Sequence, residues 1–260
     1  MVLPDHIEEA AEEANLEVVE EWLNHSGPGA VNDKAEWGAT LLMSCLNSSI
    51  LERHVQFARR LIAKGADVNI AKNNGSCPLH YASFPGDCSS TMVSLLLESG
   101  ARVNARTNGG LNGTGQTPLG QVIEQFGYKV HEVEEEDEVP ARQREVSRSG
   151  LEIMKLLLKA GASIDRCQGD LSAEELMQEF LSALPHYAND EYFTKCQEIV
   201  AGVRAHGSYK AYVREPHRQF LRLRSLLVRG RAKTDSQRLE RLARLPNGAC
   251  WHVLSYLMMK

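Results

Sequence analysis

The chain has 260 residues, 43% of them hydrophobic, enough to bury a core in one long domain or two short ones. Its net charge of −5 is mild and excludes a uniformly basic nucleic-acid binder. The charge is unevenly placed: nine acidic residues and no Lys or Arg lie in 1–33, while residues 204–244 hold twelve Lys or Arg against three acidic residues. The six cysteines have no C-x-x-C spacing and read as free thiols in a reducing compartment. The acidic N-terminus does not read as a signal peptide, and no apolar run approaches the ~18–20 residues that span a bilayer. These features predict a soluble protein of the cytoplasm, with the nucleus as a second location, and a monomer.

In chain order, the first unit covers about His6 to Asp33. Ile7, Ala10 and Ala11 predict a short helix, and Leu16, Val18, Val19, Trp22 and Leu23 a second, before Val31-Asn32. The Glu-rich first helix suits a terminal unit whose outer face meets water. The second unit runs from Lys34 to about Ile70. It opens at Gly38 and Thr40-Leu41-Leu42-Met43, places Val55, Phe57, Ala58, Leu61 and Ile62 on its second helix, and ends in Gly65-Ala66-Asp67-Val68-Asn69. The third unit opens at Gly75. It predicts a short helix through Pro78, Leu79 and Ala82, a break at Pro85-Gly86, and a second helix through Met92, Val93, Leu95, Leu96 and Leu97. Ser89 or Ser90 is placed to cap that second helix. Gly100 closes it, 35 residues after Gly65.

The fourth unit opens at Gln116-Thr117-Pro118-Leu119 and ends at Gly161-Ala162-Ser163-Ile164-Asp165. Gly100 to Gly161 is 61 residues, so the unit is stretched. Four glycines between Asn108 and Gly115 lengthen its turn; they lack the Lys of a phosphate loop. Most of the excess is an insert at about 127–149. Six of the seven residues 132–138 are acidic, and their mutual repulsion predicts a mobile loop. Further on, Ser172-Ala173-Glu174-Glu175 reads as a capping box before Leu176, Met177, Phe180 and Leu181. A helix is predicted over about 190–206 and stops at Gly207. Pro216 is placed to start a basic tail helix with Phe220, Leu221, Leu223, Leu226, Leu227 and Val228, and shorter helices are predicted around Leu239–Leu242 and Trp251–Leu257.

Cys77-Pro78-Leu79-His80, Leu95-Leu96-Leu97 and Gly100-Ala101-Arg102-Val103-Asn104-Ala105 resemble the ankyrin repeat, with its T-P-L-H and G-A-D-V-N-A segments and its period of about 33 residues. The expected architecture is an all-α ankyrin-repeat solenoid with a C-terminal helical module. About four repeats occupy 1–166, a degenerate repeat or helical cap 167–213, and the basic module 214–260. The resemblance implies a scaffold that binds a protein partner on its turn tips and first helices. Carried over residue by residue, that face comprises Glu36, Trp37, Ala39, Asn47, Asn73, Asn74, Ser76, Phe84, Gln116 and Glu124. Trp37 either anchors a partner or packs against its own or the preceding repeat. The resemblance makes His80 a structural bridge between neighbouring turns.

No histidine pair, zinc-finger spacing, nucleophile elbow or P-loop occurs, so no catalytic residue, metal or cofactor is expected. The Arg residues of the tail alternate with apolar positions, and nucleic acid is not the expected partner. Pro216 with Leu221, Leu223, Arg224 and Leu227, then Leu239, Leu245-Pro246 and Tyr256-Leu257, resemble a SOCS box, and Leu245-Pro246 to Tyr256-Leu257 also resemble the first helix of a truncated F-box. That resemblance implies an alternative role, a substrate adaptor that recruits a cullin-type ubiquitin ligase through elongin or SKP-type components. The tail departs from the SOCS box in lacking a cysteine between Cys196 and Cys250.

Overall fold

The computed structural model describes residues 2–27, 29–46, 50–86, 89–108, 115–126, 139–229 and 245. Two compact units divide the chain, residues 1–201 and 202–260. Among the described residues the first unit is helical, with isolated β-bridges such as Lys34–Thr40 and Gln116–Gln168 in place of strands.

The first unit opens with four helix pairs: α1 (Asp5–Glu12) with α2 (Leu16–Ser26), α3 (Leu41–Ser44) with α4 (Glu52–Ala63), α5 (Pro78–Ala82) with α6 (Ser89–Glu98), and α7 (Pro118–Glu124) with α8 (Val139–Lys159). The first helices lie in a row, α1 on α3, α3 on α5, α5 on α7, and the second helices α4, α6 and α8 form another. A first helix of four to eight residues is too short to stand alone in water. Burial between neighbours sustains it: Ile7, Leu41, Leu42, Leu79, Leu119 and Val122 are all at most 2% exposed. In α2 the expected apolar set is only partly internal, with Val19 buried and Val18 at the surface.

Helices α4, α6 and α8 end the same way. Gly65, Gly100 and Gly161 have φ of 94°, 89° and 95°, where an L side chain is strained. Their amides bond Ile62, Leu97 and Leu158, and the next amides, of Ala66, Ala101 and Ala162, reach back to Leu61, Leu96 and Leu157 at 2.9–3.0 Å. These paired bonds satisfy carbonyls the helix leaves open.

Asparagines then tie each ending to the next. Asn32 Nδ2 donates to the Gly65 carbonyl (3.0 Å) and its Oδ1 accepts from Asp67 N (2.8 Å). Asn69 repeats this on Gly100 and Arg102, and Asn104 repeats it on Gly161 and Ser163. The V-N signature is thus a clamp between successive endings, and it persists across the 61 residues from Gly100 to Gly161.

Several local expectations change. Residues 139–149, assigned to the loop insert, are the first half of α8. Continuity comes from packing: Val146, Ser147 and Gly150 are buried, and a Cβ on Gly150 would meet the Phe126 ring at 2.8 Å. The acidic run 132–138 lies outside the described residues. Helix α6 begins at Ser89, so Ser89 and Ser90 form its first turn rather than preceding it. The capping box at Ser172 holds, with Ser172 N donating to Glu175 Oε2 at 2.8 Å and Glu175 N to Ser172 Oγ at 3.4 Å.

Helix α9 (Ala173–Ala183) packs on α7 as α7 packs on α5. An aromatic cluster joins α9 to the segment 187–193. Phe180 stacks on Phe193 at 5.1 Å, and Phe126 meets Phe193 edge-on at 5.2 Å. Tyr187 packs against Phe180, and its buried hydroxyl donates to the Phe126 carbonyl at 2.7 Å. Helix α10 (Glu191–His206) starts on Asp190, whose Oδ1 accepts from Phe193 N and Oδ2 from the buried Ser147 hydroxyl.

In the second unit, α11 runs Tyr209–Val228. The Ser208 carbonyl and hydroxyl accept from Tyr212 N and Ala211 N, so the helix starts there and Pro216 falls inside it, not at its start. Arg224 bonds the Leu245 carbonyl. The shorter helices expected around Leu239 and Trp251 lie outside the described residues.

Candidate protein-binding face

The turn tips precede the first helices and are held in a ladder of their own. Asn73 N donates to the Trp37 carbonyl at 3.0 Å, and Asn108 N donates to the Asn74 carbonyl at 2.7 Å. Asn108 Nδ2 also donates to the Asn73 carbonyl at 3.1 Å. Within the middle tip, Ser76 N donates to Asn74 Oδ1 and Gly75 N to the Lys72 carbonyl, a tight turn. The tips are therefore spaced by backbone bonds, which fixes what their side chains can present.

Trp37 is 70% exposed, with φ at 66°. The packing alternative for its side chain is thereby removed. Its carbonyl spaces the tips while the indole stands in water. Glu36, Asn73 and Asn74 are also exposed, and Ser76, Phe84, Gln116 and Glu124 are half-buried. Ala39 is a correction: at 3% exposure it is buried and offers no surface to a partner, and its carbonyl accepts from Ala35 N to close the tip. Asn47 lies outside the described residues. Gln116 and Glu124 meet directly, Nε2 donating to Oε2 at 2.6 Å. Lys72 Nζ lies 5.5 Å from the Tyr81 ring centroid, a cation–π contact beside the middle tip that no sequence motif marks.

His80 is 2% exposed. Its Nδ1 accepts from Cys77 N at 3.2 Å, so Nε2 carries the proton and donates to the Gln116 carbonyl of the next turn at 3.0 Å. Desolvation holds its pKa below the ordinary 6.5. Both ring nitrogens are engaged, and the ring is a strut between repeats. His54 does the same nearer the N-terminus, accepting from Leu51 N and bonding the Glu12 carbonyl at 3.1 Å. It is not in a T-P-L-H segment, so nothing in the local pattern marked it.

Cys45, Cys77, Cys167 and Cys196 are buried. Burial raises each thiol above its ordinary range, Cys167 to about 12. Nucleophilic chemistry needs a thiolate, which this environment opposes. Among the described residues no group of three His, Cys, Asp or Glu could hold a metal ion, and no helix is long and apolar enough to cross a membrane.

Arg106, which no sequence motif marked, fastens the fourth tip. Its guanidinium donates to the carbonyls of Arg166 (2.5 Å), Gly115 (2.9 Å) and Gly169 (2.8 Å). Its partners lie 9 to 63 residues away, so no local spacing pointed to it.

A comparison with curated proteins found no match. The family model for ankyrin repeats matches residues 7–107, in three copies. That match and the paired helices, turn ladder and asparagine clamps agree on a module for protein–protein interaction, in a family that is typically non-catalytic. Residues 7–107 of this chain are ankyrin repeats, and the pair α7–α8 continues their geometry beyond the match.

Proposed function

We propose that the chain is a non-catalytic scaffold that presents the row of turn tips and first helices to a protein partner. The observation that carries this is Trp37. A large aromatic held at 70% exposure, with its backbone in the left-handed region, gains little from burial within its own chain. Tryptophan is enriched among residues that dominate interface energies. The backbone bond from Asn73 N holds the tip, so little ordering entropy is lost on binding.

The test is capture of partners by the full-length chain, then calorimetric Kd values for wild type, Trp37→Ala and Phe84→Ala. Trp37→Ala should weaken binding by about 2 kcal/mol or more, as anchors of this kind do, with urea stability unchanged. Unchanged affinity for both variants would remove this face from consideration.

A second role, ligase adaptor, draws support from α11, where Leu223, Leu226 and Val228 are 53%, 39% and 67% exposed. These apolar residues on a basic helix suit a recruiting surface. Pull-down of elongin B–elongin C and of an SKP-type protein, with the full chain and a version ending at Glu215, separates the two roles. Binding lost on truncation supports the adaptor; no binding by either sinks it. The working location is the cytoplasm or nucleus and the working state a monomer, both open to direct imaging and sedimentation.

A further inference from the structure

A surface cleft of about 410 Å³ opens where the fourth tip meets α9. Glu124 closes one side, the turn 168–171 another, and α9 supplies Leu176, Glu179 and Phe180. Its polarity is graded. Leu176 is buried and Leu171 and Phe180 half-buried, whereas Asp170 and Glu179 are exposed at the rim. The volume lies in the ~300–1,000 Å³ range of ligand clefts.

The walls are fixed before any ligand arrives. The Arg106 guanidinium pins Gly115, Arg166 and Gly169. Gly169 N donates to the Gly115 carbonyl at 2.8 Å, and Gln168 bridges to both Gln116 and Leu171. Phe180 is held by Phe193 and Tyr187. Glu124 is oriented by Gln116. One rim carboxylate is already engaged, since Asp170 pairs with Arg166 at 2.7 Å, though both are largely in water. Glu179 has no hydrogen bond or ion pair among the described residues.

We propose that this cleft binds an arginine side chain of the partner, with an apolar residue beside it. The inference rests on the protein-binding reading of the turn-tip row, which shares Glu124 with the cleft. An apolar lining beside Glu124 and Glu179, with Asp170 already neutralised by Arg166, complements a side chain with an aliphatic stem and a cationic head. The planar guanidinium can bond carboxylates at its edge while its face lies on an aromatic ring, which a lysine ammonium does less well. An acidic segment would set like charge against the rim, and a purely apolar one would leave Glu179 without a partner.

The test pans a display library of random nine-residue peptides on the full-length chain. Enriched peptides are then measured against wild type, Glu179→Lys and Glu17→Lys, the last an exposed charge on α2 away from the cleft. The expected peptides carry arginine next to an apolar residue. Replacing that arginine by citrulline, or Glu179 by Lys, should weaken them roughly tenfold, and Glu17→Lys should not. Enrichment without arginine, no enrichment, or Arg peptides indifferent to Glu179→Lys would each overturn the inference. Peptides without a cation that lose affinity on Trp37→Ala would overturn the cleft and leave the turn-tip face standing. A captured partner indifferent to Trp37→Ala but sensitive to Glu179→Lys would do the reverse.

Discussion

Asn69→Ala removes both halves of one inter-repeat clamp. The side chain donates to the Gly100 carbonyl at 3.0 Å and accepts from Arg102 N at 2.8 Å. A typical internal hydrogen bond contributes ~0.5–1.5 kcal/mol net. Gly100 and Arg102 are exposed, so water replaces the lost partners and no buried group is orphaned. The expected loss is therefore about 1–2 kcal/mol, well below the ~2–5 kcal/mol of a buried Leu→Ala. Asn69→Asp is the sharper variant. It keeps an acceptor for Arg102 N but sets a carboxylate against the Gly100 carbonyl, so at neutral pH it should cost at least as much as Ala. Urea unfolding monitored by helical circular dichroism reads both. The adjoining clamps at Asn32 and Asn104 have the same geometry, so their Ala variants should cost similar amounts, and the Asn32/Asn104 pair should be near additive because the two share no partner. A loss under about 0.3 kcal/mol for Asn69→Ala, with an unchanged denaturant slope, would refute the view that these side chains couple the repeats.

His80 predicts a pH dependence. Its pKa is lowered in the folded state, mainly by desolvation, so the unfolded chain binds the proton more tightly. Its contribution is complete above about 6.5 and is lost as the pH falls below that value. Subtracting the profile of His80→Gln should flatten stability between pH 7 and 5; an identical slope in both proteins would contradict the buried neutral strut. Gly75→Ala should destabilise more than Gly161→Ala. Both glycines have positive φ, but a Cβ at Gly75 would lie 2.6 Å from Asn108 N, while the space at Gly161 is open. The open site should cost about 1–2 kcal/mol, the penalty of an L-residue in the left-handed region, and the crowded one more. Equal thermal shifts would count against the tip-to-tip contact.

The sequence determined the repeat. The Gly65, Gly100 and Gly161 endings, the asparagine after each valine or its equivalent, and Cys77-Pro78-Leu79-His80 each act within a few residues or at a fixed repeat spacing, so pattern alone carries them. Even the role of His80 was legible, because its partner recurs one repeat away. Tertiary structure decided what depends on contacts with no fixed spacing. Trp37 stands in water while its carbonyl is committed to Asn73, neither of which a hydrophobicity pattern encodes. Ala39 is buried within the tip, which its place in the turn segment did not reveal. Helix α8 extends back to Val139, and packing of Gly150 against Phe126 holds its middle. Pro216 sits mid-helix because Ser208 starts α11 earlier. The cleft required Glu124, Asp170 and Glu179 to converge from three segments, and their walls are set by Arg106 reaching as far as 63 residues along the chain. Local patterns specify a backbone period, but a binding surface is built from long-range neighbours, and only folding brings those together.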